Sequence, residues 1–118
     1  MKKLLFVSRQ APYGNSLPRE ALDAVLAASA YEQDISYLFM NDGVFQLLKQ
    51  QDPTEIGLKN LSATLQALEL YGVDKIFACK ESLQQRGLNQ ADLCMNVQVM
   101  ERSALQSLLH SQDKILSF

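Results

Sequence analysis

The residues best suited to chemistry in this sequence are Cys79-Lys80-Glu81-Ser82. Cys79 ends a short apolar run, and a helix is predicted to begin near Ser82. A neighbouring cation and a helix N-terminus both favour thiolate over thiol, which makes Cys79 a candidate nucleophile or sulfur carrier. Free cysteines are also commonly small, buried apolar residues. The residue types alone leave both interpretations of Cys79 open.

The other potential metal ligands are sparse. Cys94 and His110 are, with Cys79, the only cysteine and histidine residues of the sequence. A structural zinc site needs four ligands, usually Cys and His, so we predict no zinc site and no other thiolate-bound metal. Cys94 is interpreted as a structural residue at the start of a weak strand. His110 falls near the end of the last predicted helix, where a cation complements the helix dipole, and is interpreted as a surface or capping residue.

Signals for phosphate chemistry are weak. The loop Tyr13-Gly14-Asn15-Ser16 contains one glycine, but neither glycine-rich phosphate-binding motif is present. Asp42 follows a predicted strand, as a phosphoacceptor would, yet Ser8-Arg9 stands where an acidic pair is expected. The sequence shows no catalytic triad and no paired carboxylates. We predict no cofactor, and few of the parts of an independent enzyme.

Five short apolar segments alternate with helical patterns. Continuous apolar runs are typical of strands buried on both faces of a parallel sheet, and Leu22, Val25 and Leu26 recur at helical spacing within 17–32. The β-α-β-α-β-α-β-α-β order predicts a three-layer α/β/α sandwich with a mostly parallel five-stranded sheet. The predicted strands are 3–8, 35–40, 73–79, 95–99 and 114–118; further helices are predicted near 44–48, 58–71, 82–86 and 105–109.

The predicted sheet brings three polar segments to one edge. In open α/β sheets, ligands bind beyond the carboxyl ends of the strands. Residues 8–10, 41–43 and 79–82 each follow or end a predicted strand. We therefore expect these segments to meet at the carboxyl edge.

The composition is that of one soluble domain spanning 1–118. The 118 residues are 47% hydrophobic and 20% charged, with a formal charge of −2 and a pI near 5.3, which excludes disordered, collagen-like and coiled-coil chains. The acidic balance argues against strong direct binding of bare DNA or RNA. No apolar run approaches the ~18 residues that span a bilayer, and the run after Lys2-Lys3 is too short for a signal peptide. We expect a cytoplasmic protein that does not bind membranes.

Several strings of the sequence match a known family. The most specific is Asp42-Gly43-Val44-Phe45-Gln46-Leu47-Leu48, and the match continues from end to end without a large insertion. On these residues the chain resembles the TusC branch of the DsrE/DsrF/DsrH superfamily, which implies a fold like the one predicted above. The supporting strings are Ala11 to Gly14, Arg19 to Ala27, Leu70 to Gly72, Ser82 to Leu88 and Asp113 to Phe118.

The resemblance also implies a function. TusC-like chains assemble with TusB-like and TusD-like subunits as a heterohexamer, a dimer of heterotrimers. The complex accepts persulfide sulfur from a TusA-like protein and passes it through a TusE-like protein, for 2-thiolation of the wobble uridine in tRNA. The family assigns the carrier cysteine to the TusD-like subunit, which makes Cys79 a vestigial or auxiliary thiol here.

Two points stay open at the level of the sequence. Large apolar residues in or beside loops, among them Tyr13, Val44, Phe45, Leu48 and Tyr71, either form an interface with other subunits or seat their segments on the sheet. The alternatives to a relay subunit are a stand-alone sulfurtransferase that uses Cys79 and a flavodoxin-like ligand-binding module.

Overall fold

The centre of the fold is a sheet of parallel strands. The computed structural model describes residues 2–12, 16–31, 33–48 and 63–118, and within these ranges five strands lie in the order β4-β3-β2-β1-β5. All four pairings are parallel. The inner strands are rich in Leu, Ile, Val, Phe and Tyr because both of their faces are covered. The strands are β1 (Lys3–Ser8), β2 (Asp34–Phe39), β3 (Lys75–Cys79), β4 (Gln98–Met100) and β5 (Lys114–Ser117).

Short helices connect these strands. Helix α1 carries Pro18 in its first turn, where a missing N–H is harmless, and it buries Ala21, Leu22 and Val25 on one side. Across the described ranges, no helix is both long and apolar enough to cross a bilayer. The α-helices are α1 (Leu17–Ser29), α2 (Lys80–Gln85) and α3 (Arg102–Ser111), residues 63–66 are helical, and 3-10 segments cover Asn41–Leu47, Leu68–Tyr71 and Gln90–Asp92.

The sheet has an apolar core on each face. Side chains of a strand alternate between faces, so Phe6 and Tyr37 belong to one cluster while Leu5 and Leu38 belong to the other. The larger cluster includes Leu22 and Val25 of α1, and the smaller includes Leu105 of α3. Helices therefore cover both faces, which confirms the three-layer prediction.

The fourth strand differs from its predicted position. It was expected at 95–99 with Cys94 at its start, but β4 begins at Gln98. The preceding residues pair elsewhere: the Cys94 N–H donates to the Leu47 carbonyl (2.6 Å), and Leu93 forms an antiparallel bridge with Leu48. Because their backbone groups are used by the 41–48 segment, these residues are not available to β3. The helix predicted at 44–48 is a 3-10 segment that begins at Asn41.

The other boundaries lie within a few residues of the prediction. Gly72 has a left-handed backbone (φ 82°) and its N–H donates to the Glu69 carbonyl at 3.1 Å, so it ends the 3-10 segment as expected of a helix-terminating glycine. The third strand starts at Lys75 rather than at Val73. The first part of the helix predicted at 58–71 lies outside the described residues.

Gly43 lies where two segments of backbone approach each other closely. The Met40 N–H donates to the Ser8 carbonyl at 3.2 Å, and the Gly43 N–H donates to the Met40 carbonyl at 2.9 Å. A β-carbon on Gly43 would overlap the Ser8 carbonyl oxygen and lie 2.8 Å from its carbon. Since the obstacle is main chain at the end of a central strand, no side-chain movement relieves it.

We therefore expect Gly43→Ala to lower the free energy of unfolding by about 3 kcal/mol, the upper end for overpacking. Gly72→Ala is the matched control. Nothing lies within 4 Å of a β-carbon there, so only the left-handed backbone is strained, which costs about 1 kcal/mol. Urea unfolding of both variants measures the difference. Equal losses would show that the contact with Ser8 relaxes.

Candidate functional site

Three loops meet at the carboxyl edge of the sheet. The Met40 N–H bonds the Ser8 carbonyl, which ties the end of β2 to the end of β1. The Asn41 N–H donates to the buried Ser82 hydroxyl at 2.9 Å, which ties the same loop to α2. The segments 8–10, 41–43 and 79–82 are thus brought together as the sequence predicts.

Cys79 lies at this edge but is enclosed. It is the last residue of β3, only 7% of its surface is exposed, and it packs in the smaller cluster with Leu38 and Leu105. The Lys80 ammonium, which was expected to favour the thiolate, pairs with the Glu101 carboxylate at 3.1 Å. In the structure the Cys79 side chain is thus buried, and the adjacent cation is paired with Glu101.

Charged residues line an open cleft beside β3 and β4. The Lys80–Glu101 pair and the Arg102–Glu81 pair (3.1 Å) both connect the start of α2 with the start of α3. The cleft between them measures about 370 Å³ and is lined also by Gln84 and Ser103. Both pairs are exposed, so each contributes little to stability. Their effect is to neutralise this part of the surface.

A buried polar cluster lies at the ends of β1 and β2, and the sequence did not single it out. The fully buried Gln46 side chain donates from Nε2 to Ser8 Oγ (2.8 Å) and to the Gln10 carbonyl (2.9 Å). Burial raises the pKa of the nearby Tyr37 phenol, against a smaller lowering by the Ser8 hydroxyl. The phenol is therefore neutral at physiological pH. Its oxygen lies near the Ser8 hydroxyl but has no well-oriented hydrogen-bond partner. The one sequence feature that could have indicated this cluster is a polar residue, Gln46, between the apolar residues Phe45 and Leu47.

Arg86 holds the 41–47 segment against α2. Its guanidinium donates to Asp42 Oδ1 from Nε (3.1 Å) and Nη2 (2.9 Å), and to the Ser82 carbonyl from Nη1 (3.1 Å). It also lies 5.9 Å from the centre of the Phe45 ring, within cation–π range. Asp42, the first residue of the string 42–48, is thus an ion-pair partner of Arg86.

The residues predicted as an interface occupy different environments. Val44 is fully buried, so its side chain has no surface to offer a partner. Phe45 and Leu48 are half-buried beside α2 and Leu93, whereas Tyr71 is 56% exposed and precedes β3, at the opposite edge of the sheet. Tyr13 lies outside the described residues. An interface at the carboxyl edge would therefore involve Phe45 and Leu48 rather than all five residues.

The remaining sequence candidates are dispersed. Cys94 is half-buried beside the 41–48 segment, and His110 is exposed in the last turn of α3, as predicted for a surface or capping residue. Within the ranges that the structure describes, no three His, Cys, Asp or Glu residues are grouped so as to hold a metal ion. The carboxyl edge is thus the place where candidate residues converge.

The contacts of Arg86 predict a measurable contribution to stability. Replacing it by Ala removes three charge-assisted bonds, and since Arg86 is only 20% exposed we expect a loss of about 1–2 kcal/mol. Arg19→Ala is the control, because its pair with Asp23 is exposed on both sides and is worth at most about 0.5 kcal/mol. Urea unfolding compares the two. A loss no larger than that of the control would contradict the role of Arg86.

The chain is similar to curated proteins over its whole length. It is 43% identical over 118 residues to a protein of Vibrio parahaemolyticus named "Protein TusC homolog", with all of both chains covered. Proteins of the same name from Vibrio vulnificus and Pseudomonas aeruginosa are 42% and 40% identical, over 100% and 98% of both chains.

Two solved structures share the fold of this chain over its whole length. The ychN protein of Escherichia coli superposes with a TM-score of 0.82 at 26% identity, covering all of both chains. A protein of unknown function from Methanobacterium thermoautotrophicum superposes with a TM-score of 0.76 at 18% identity, also over both whole chains, and supports the fold alone. The sequence profile of the DsrE/DsrF-like family matches residues 2–118. On this evidence the chain belongs to the DsrE/DsrF-like family.

Proposed function

We propose that this chain is a subunit of a Tus-type sulfur-relay complex that supplies sulfur for 2-thiolation of the wobble uridine in tRNA. The observation that carries the proposal is the end-to-end similarity, at 40–43% identity, to proteins named as TusC homologs. Similarity of this extent covers the string 42–48 and both ends of the chain. The carboxyl edge is then the surface at which relay partners would meet the chain.

Within such a complex, the chain acts as a non-carrier partner. A thiol that exchanges sulfur must be reached by the incoming persulfide and must be present as thiolate. Cys79 is buried among apolar side chains, and Lys80 is paired with Glu101. Both observations support a packing role for Cys79 and leave the carrier cysteine to another subunit.

The proposal extends to partners and location. TusB-like and TusD-like subunits would complete a heterohexamer in the cytoplasm, with a TusA-like donor and a TusE-like acceptor docking on the assembled complex. A net charge of −2 supports contact with proteins rather than direct binding of tRNA. The chain is proposed to contribute one DsrEFH-like domain, residues 1–118.

Genetic complementation tests both parts of this proposal. We expect deletion of the gene to lower wobble 2-thiouridine, because an obligate partner is lost. We expect Cys79→Ser to restore it to near wild type, with a packing loss of about 1 kcal/mol at most. Cys94→Ser, at the other cysteine of the sequence, is the control. Nucleoside mass spectrometry measures the modification, and a blot measures protein abundance.

Two outcomes would contradict the proposal, and they are distinguishable. Unchanged 2-thiouridine in the deletion strain would refute the relay role. A collapse of thiolation with Cys79→Ser at normal abundance would refute the non-carrier role, and would favour a sulfurtransferase that uses Cys79.

Purification from native extract tests the assembly. We expect the tagged full chain to elute with two DsrE-like subunits in equal amounts, as measured by native mass spectrometry. Phe45→Ala should weaken this association, whereas Leu109→Ala, on the exposed side of α3, is a control at a distant surface. A lone monomer that carries a flavin or nucleotide would contradict the proposal and favour a ligand-binding module.

A further inference from the structure

Two large apolar side chains face solvent at the amino edge of the sheet, where the strands begin. The segment 68–73, which leads into β3, buries Leu68 and Val73 in the larger core cluster. Between them, Leu70 is 87% exposed and Tyr71 is 56% exposed. Packing within the chain therefore does not account for apolar residues at positions 70 and 71.

Tyr31 is a third large side chain at the same edge. It follows α1, which contacts the Leu68–Tyr71 segment, and it is 71% exposed. The two segments lead into β2 and β3, which are neighbours in the sheet. Three of the six large apolar side chains that are exposed in the described residues thus lie at one edge, and such grouping is typical of an interaction site. We call Leu70, Tyr71 and Tyr31 the amino-edge patch.

The patch is bordered by carboxylates. Glu69 and Asp74 are exposed and lie on either side of the Leu70-Tyr71 pair in the chain. Across the ranges that the structure describes, neither carboxylate has an ion-pair partner, since the adjacent Lys75 ammonium pairs with Asp34 at 2.6 Å. The border of the patch next to β3 is therefore negatively charged.

This charge selects the class of partner. Carboxylates repel nucleic acid and anionic membranes. A second copy of this chain, joined patch to patch about a twofold axis, would bring Glu69 and Asp74 close to the same two residues of its mate. Lys2 and Lys3, at the start of β1, are separated from β3 by the whole of β2. A different protein with a basic surface is the occupant that meets no repulsion.

We propose that the amino-edge patch binds one of the two DsrE-like partner subunits of the relay complex, through a surface that combines an apolar hollow with Lys or Arg at its rim. Leu70 has the most surface to bury, and tyrosine is a residue type enriched at interfaces. The acidic border sets orientation and association rate more than affinity. The other partner subunit is left to the carboxyl edge around Phe45, so the chain contacts its two partners at opposite edges of the sheet.

This inference rests on the proposed function, which supplies the partner subunits, but the two can fail separately. A chain that assembles with both subunits while the patch stays exposed keeps the relay role and lacks this interface. A chain that binds no DsrE-like subunit lacks both.

Native mass spectrometry of the complex, purified through the tagged full chain, tests the interface. We expect Leu70→Ser/Tyr71→Ser to release one DsrE-like subunit, with affinity lowered by more than about tenfold, and to retain the other. Leu109→Ser is the matched control, because Leu109 is also exposed but lies on α3, and it should retain both. Circular dichroism checks the fold of each variant.

The charge of the border is tested by the neutral variant Glu69→Gln/Asp74→Asn. Added salt screens exposed charges, so association of the wild-type chain with the released subunit should slow as salt is raised. The neutral variant should associate more slowly at low salt and respond less to salt. An unchanged salt response would overturn the assignment of a basic partner.

Hydrogen exchange gives a readout that needs no variant, should the double serine variant fail to fold. We expect the amides of residues 69–73 to exchange more slowly in the complex than in the isolated full chain. Equal exchange in both states, or retention of both subunits by a folded Leu70→Ser/Tyr71→Ser chain, would overturn the proposal. A dimer of the isolated chain that this variant abolishes would also overturn it, because the occupant would then be a second copy.

Discussion

The close contact between the 41–47 segment and the end of β1 is the constraint on which this molecule depends. The Ser8 carbonyl accepts the Met40 N–H, its other side is approached by Gly43, and the Ser8 hydroxyl accepts from Gln46. These interactions converge on one buried residue at the end of a central strand and hold the segment against it. Asn41 and Asp42 can then meet α2 through Ser82 and Arg86.

That arrangement determines the character of the carboxyl edge. The backbone of the 41–47 segment covers the ends of β1 and β2, while paired charges on α2 and α3 border the ends of β3 and β4. Lys80, Arg86 and Arg102 each have a carboxylate partner. These pairs offset the positive charges of α2 and of the start of α3.

The position of Cys79 illustrates how one residue type can suggest two chemistries. A cysteine at a strand end before a helix has two of the features that activate a thiol. Here the burial of the side chain and the pairing of Lys80 oppose them. The same burial packs the side chain against Leu38, Phe77 and Leu105. Local sequence cannot distinguish these cases, because the deciding groups come from β2, β4 and α3.

The sequence alone determined the strands of the sheet, the α/β class and the family. The almost continuous apolar runs within 3–8 and 35–40 are recognisable because burial on both faces of a strand favours apolar residues at successive positions. Gly72 and Pro18 mark their helix ends because their backbone preferences are intrinsic to the residue. The string 42–48 identified the family because it combines residues that no simple periodicity requires.

Only the tertiary structure decided the strand order, the start of β4 and the roles of the polar residues. Cys94 was expected at the start of the fourth strand, yet the backbone of Leu93 and Cys94 pairs with Leu48 and Leu47, which are 45 or more residues away in the chain. Gln46 and Arg86 look like surface residues until Ser8 and Asp42 are brought to them. The physical reason is the same in each case. A hydrogen bond or ion pair depends on a partner that the fold supplies, whereas the tendency of an apolar side chain to be buried is a property of the residue itself.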